Sequence, residues 1–110
     1  MSNVTDCILH FSLAEKESKK IKEINSFFDM PEHKQKPFVE IDDPKLPLSW
    51  YGGSEVSEAF LYFGAFRHLR LELLCNHIRS IQFKEPENVQ LIVQRQGENR
   101  FSIINVFEIH

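Results

Sequence analysis

Val89-Gln90-Leu91-Ile92-Val93-Gln94, then Gly97-Glu98-Asn99, then Phe101-Ser102-Ile103-Ile104-Asn105-Val106-Phe107 is the stretch that decides the fold class. The two flanking runs read as strands and the Gly-Glu-Asn between them supplies turn chemistry, so a β-hairpin is expected. Upstream, Leu71, Leu74, Cys75 and Ile78 recur at i, i+3, i+4 and i+7, which predicts a helix over Leu69 to Ile81. Its start lacks a good cap, since Arg67, His68 and Arg70 precede it, and Pro86 lies beyond its end. Val56 to Phe66 reads as a strand. Ala59, Leu61, Phe63 and Ala65 share one face, and Phe60, Tyr62, Gly64 and Phe66 the other. Both faces are largely apolar, which suits a central strand or one whose outer face meets a partner.

The first half repeats the strand-then-helix logic. Val4 to Phe11 is an apolar run with β-branched members and reads as a strand. Ser12 followed by Glu15 has capping-box spacing, which predicts a helix from Leu13 to Phe28. Ile21, Ile24 and Phe28 form its apolar stripe, with Phe27 beside it. Lys16, Lys19, Lys20, Lys22 and Glu23 read as a solvated face. Pro31, Pro37, Pro44 and Pro47 break any helix over the next segment. Phe38-Val39-Glu40-Ile41 reads as a short edge strand, and Trp50-Tyr51-Gly52-Gly53 as a turn. A connection of this length is often functional or mobile. The order strand, helix, short strand, strand, helix, strand, strand gives an α+β fold. The natural solution is two layers: a mixed or antiparallel sheet of four to five strands with two helices on one face. A ferredoxin-like order is one such topology.

At 110 residues the chain is expected to be a single domain, 1–110, with one core. Its 42% hydrophobic and 26% charged residues are ordinary for a globular protein, and ten phenylalanines supply large buried area. A formal net charge of -3 gives no footprint for direct nucleic-acid binding. Cys7 and Cys75 lie among apolar residues and match no C-x-x-C pattern, so they read as small buried hydrophobes. The first residues lack a signal peptide's basic start and apolar run, and no stretch reaches the ~20 apolar residues of a membrane span, so a cytoplasmic protein is expected.

Chemistry-bearing patterns are sparse. His10, His33, His68, His77 and His110 form no H-x-x-x-H pair, and no metal or cofactor site is expected. Cys75 and His77 stand two apart on a helix, and Cys7 and His10 face opposite ways on a strand, so neither pair makes a nucleophile with its base. Gly52-Gly53-Ser54 matches no phosphate-loop pattern. Carboxylates cluster at Glu40, Asp42 and Asp43. With Trp50 and Tyr51 as aromatic anchors, these five residues form the candidate partner-binding patch, an acidic surface for a basic partner.

Tyr51-Gly52-Gly53 … Glu58-Ala59 … Tyr62 … Ala65-Phe66, with His77-Ile78-Arg79-Ser80-Ile81 … Pro86-Glu87-Asn88-Val89-Gln90-Leu91, resembles small bacterial immunity proteins of polymorphic or contact-dependent toxin systems. The likeness spans roughly the last 60 residues. Arg67 and Arg70 depart from it, standing where acidic capping residues would fit better. The resemblance implies a non-enzymatic inhibitor that covers the active site of a cognate protein toxin, for instance a nuclease, with acidic side chains in place of substrate phosphates. Two other readings compete. One is a homo-oligomeric structural or regulatory module using a sheet edge. The other is a small ferredoxin-like ligand-binding protein or enzyme using His68 or His77.

Overall fold

The computed structural model describes residues 3–40 and 60–107. Five strands carry the fold: β1 (Val4–Phe11), β2 (Val39–Glu40), β3 (Phe60–Arg67), β4 (Gln90–Arg95) and β5 (Ser102–Asn105). Two α-helices, α1 (Glu17–Asn25) and α2 (Leu71–Arg79), complete it, with short 3-10 turns at Ser26–Asp29, Pro31–His33 and Pro86–Asn88. The sheet order is β2-β3-β1-β4-β5, and each neighbouring pair is antiparallel. The first four strands therefore stand in ferredoxin-like order and direction, with β5 added beside β4. The short strand expected at Phe38–Ile41 is indeed at an edge, and β3 is an internal strand.

Sheet pleating sorts the residues. Cys7, Leu9, Phe11, Tyr62, Phe66, Leu91 and Val93 face one way and are buried with Ile24 of α1 and Leu74, Cys75 and Ile78 of α2. One core thus lies between the sheet and both helices. Aromatic rings fill it: Phe28 stacks on Phe66 at 4.4 Å, Phe38 meets Phe66 edge-on at 5.0 Å, and Phe11 stacks on Tyr62 at 5.7 Å. The helices are tied directly as well, the His77 Nε2–H donating to the Glu23 carbonyl at 2.8 Å.

The first helix begins later than the capping-box spacing predicts. Glu15 does not reach back to Ser12. Its carboxylate accepts the backbone N–H groups of Lys84 at 3.0 Å and Glu85 at 2.8 Å. The Ser12 hydroxyl accepts from the Ala14 N–H and donates to the Glu85 carboxylate, both at 3.0 Å. Residues 12–16 are thus a turn pinned to a distant segment, and α1 starts at Glu17 without a side-chain cap. Lys20 also departs from the expected solvated face. It is buried, its ammonium donating to the Gln82 carbonyl and lying 5.5 Å from the Phe83 ring centroid.

Candidate functional site

Asp42, Asp43, Trp50 and Tyr51 of the acidic patch lie outside the described residues. Glu40 is described. It pairs with Tyr62 in the β2–β3 ladder, so its side chain takes the helix side of the sheet. There its charge reaches the Tyr62 phenol, whose pKa is pushed well above its ordinary value by burial first and by neighbouring Glu17 next. The Tyr62 hydroxyl and Glu17 Oε2 are both buried, and among the described residues neither has a partner at hydrogen-bonding geometry. Glu40 therefore does not share a face with its neighbour Val39.

The other face of the sheet carries no helix among the described residues. Across it the register aligns one residue from each strand: Val39 beside Phe63, Phe63 beside Ile8, Ile8 beside Ile92, and Ile92 beside Ile103. All five are apolar. Four inter-strand spacings make this band about 20 Å wide. Val39 is 48% exposed, Phe63 36% and Ile103 63%, and Phe101 at 48% stands next to the band. A shallow groove of about 540 Å³ lies over the β2–β3–β1 part of the band, lined by Val39, Phe63 and Ile8 with Phe101 and Lys36 beside them. The flanking rows are mostly polar. Asp6 pairs with Ala65 and Gln94 on one side. His10 pairs with Leu61 and Gln90 on the other, and Gln90 with Asn105. An apolar centre with a polar rim is the anatomy of a protein–protein interface.

Nothing in single-strand patterning places these residues in one row. Ile8, Ile92 and Ile103 each look like ordinary strand residues, and only the pairing register brings them together. The sole legible signal was the two-faced apolarity of β3, whose outer face does meet solvent at Phe63 and Ala65.

The thiols are both free and buried. Burial, then the charge of Asp6, then Cys75, pushes Cys7 up to about 12. Burial raises Cys75 too, against a smaller opposite pull from Arg79. A thiol held protonated is a poor nucleophile. Among the described residues no three or more His, Cys, Asp or Glu side chains gather to hold a metal ion, and no helix is long and apolar enough to cross a membrane.

No family model, curated protein or solved structure matches this chain.

Proposed function

We propose that this chain is a non-catalytic binding protein that neutralises a protein partner by docking the open face of its sheet onto it. The observation that carries the reading is the in-register band Val39–Phe63–Ile8–Ile92–Ile103. An exposed apolar patch of this extent, rimmed by polar side chains, marks interaction surfaces on soluble domains. The resemblance to immunity proteins supplies the partner class: a toxin domain with a basic active-site surface. Charge supports it. Lys34, Lys36, Arg67, Arg70 and Glu32 gather at one end of the molecule with formal charge +3, so the rest of a chain of net charge -3 carries -6. A basic partner is steered towards such a surface.

The test is co-expression with the C-terminal toxin region of any large secreted protein encoded directly upstream. The expected result is co-purification and rescued growth, with affinity about 100-fold weaker in Phe63→Lys/Ile103→Lys, as loss of central apolar anchors predicts. Full affinity in that variant, with its melting temperature unchanged, overturns the face. Failure to co-purify overturns the partner class.

A second reading has one observation in its favour. β5 is an edge strand, and its Ile103 is the most exposed of the described large hydrophobics. A second copy pairing along this edge would continue the sheet past β5 and shield Ile103. Light scattering at micromolar concentration separates the two: a stable dimer favours self-association, a monomer the hetero-partner.

A further inference from the structure

At the end of the sheet where β3 gives way to α2 lies a cleft of about 840 Å³. One wall is the Pro31–Lys36 strap and the other the Arg67–Arg70 turn. Into it come Lys34, Lys36, Arg67 and Arg70, with His33 and His68, against the single acid Glu32. Among the described residues none of the four Lys and Arg side chains is held in an ion pair. In a chain of net charge -3, four unpaired cations converging on one concavity need an explanation.

Both walls are held by directional bonds. The Gln35 side chain acts as a strand partner for Arg67, accepting its N–H at 2.9 Å and donating to its carbonyl at 3.2 Å. His68 sits in the left-handed region at φ 53°, a costly conformation for a residue other than glycine. Its N–H donates to the Asn3 carbonyl at 2.7 Å, which holds it there. Backbone strain kept in place beside a cleft is a mark of functional sites. The His33 ring stacks on buried Phe27 at 4.1 Å and 15°, so it too is fixed. Val4, Phe27 and Leu69 give the cleft an apolar floor.

We infer that this cleft binds a small phosphoanion carrying two or more charges, its phosphates held by Arg67 and Arg70. Guanidinium forks match phosphate oxygens in bidentate geometry, whereas a single carboxylate neutralises one cation of the cluster. The pre-set strap and turn keep the ordering cost of binding low. The apolar floor suits a ligand with an uncharged body, as in a nucleoside diphosphate; free pyrophosphate offers the same charged chemistry without it. The cleft adjoins the groove on the open sheet face, sharing Lys36 and Ala65 with it, but Arg67 and Arg70 belong to the cleft and are not among the groove's lining residues.

The test is an NMR titration of the full, 15N-labelled chain with pyrophosphate, ADP and adenosine, following His33, Gln35, Arg67 and His68. Saturable shifts at those residues are expected with a Kd of about 0.1–1 mM, the strength of a few charge-assisted hydrogen bonds on an exposed surface. Arg67→Ala/Arg70→Ala should weaken binding about tenfold or more. Lys16→Ala/Lys19→Ala, which removes exposed cations elsewhere, should bind like the wild type. ADP tighter than pyrophosphate identifies a nucleotide; equal affinity identifies the phosphates alone as the ligand. The proposal is overturned if neither phosphoanion gives saturable shifts, if adenosine binds as well as ADP, or if the two double variants weaken binding equally.

Discussion

Gly64 has no side chain because the Phe66 ring occupies the space where one would go. A Cβ there would lie 2.1 Å from Phe66 Cζ. The ring cannot swing aside, since Phe28 stacks on it at 4.4 Å and Phe38 abuts it at 5.0 Å. Gly64→Ala is therefore expected to cost about 2–3 kcal/mol, an overpacking penalty, measured by urea unfolding at neutral pH. Cys7 sets a second residue-scale expectation. An unfolded thiol titrates near its ordinary value of 9.0, and the folded one near about 12. The folded state thus binds the thiol proton more tightly. Its contribution is complete below pH 9 and is lost as pH rises from 9 to about 12. Three units correspond to about 4 kcal/mol. Stability measured across that window should fall, and Cys7→Ala should flatten the fall. The slope, not the absolute stability, is the readout, because the substitution also opens space in the core.

Among elements, the loops are fastened by side chains imitating backbone. Gln35 does this for Arg67, Asn25 for Phe38 (accepting its N–H at 3.1 Å and donating to its carbonyl at 3.3 Å), and Glu15 for Lys84 and Glu85. Glu15→Ala leaves two inward N–H groups without an acceptor and frees the segment before β4. About 2–4 kcal/mol should be lost, with hydrogen exchange rising first at Lys84 and Glu85. These clips also explain what the sequence could and could not reveal. Among the described residues, periodicity located β1, β4, β5 and both helices to within a few residues, because burial imposes it; of the strand expected over residues 56–66, residues 56–59 lie outside the described ones and the rest falls in β3. The Ser12–Glu15 spacing misled, because a carboxylate three residues from a serine serves equally well as a clip for a distant backbone. Lys20 misled likewise, since nothing local shows that a carbonyl and a phenyl ring await it. The basic cleft, and all of the open-face band beyond the two-faced apolarity of β3, stayed hidden for the same reason: both are made of residues far apart in sequence and joined only by register and chain crossing. Of the acidic patch, Glu40 alone falls on described residues, and it turns towards Tyr62.

For the molecule as a whole, the described residues present two contrasting surfaces. The side of the sheet that carries no helix among the described residues is apolar with polar margins, and one end of the sheet is cationic within an acidic chain. Salt should therefore act differently on the two: phosphoanion binding at the cleft weakens as ionic strength rises, while contacts made by the apolar band persist. The ferredoxin-like order has one more consequence. β1 is first along the sequence and central in the sheet, with Val4 beside Arg67 and Thr5 beside Arg95. During synthesis at ~5–20 residues per second, the strand emerges roughly 5–20 s before its last neighbour exists. Until β3 emerges both of its edges are unsatisfied, and the edge that β4 will take stays open to the end of the interval. In nascent chains stalled before β4, cleavage within β1 by a probing protease is therefore expected, and it should disappear once the full chain has been released.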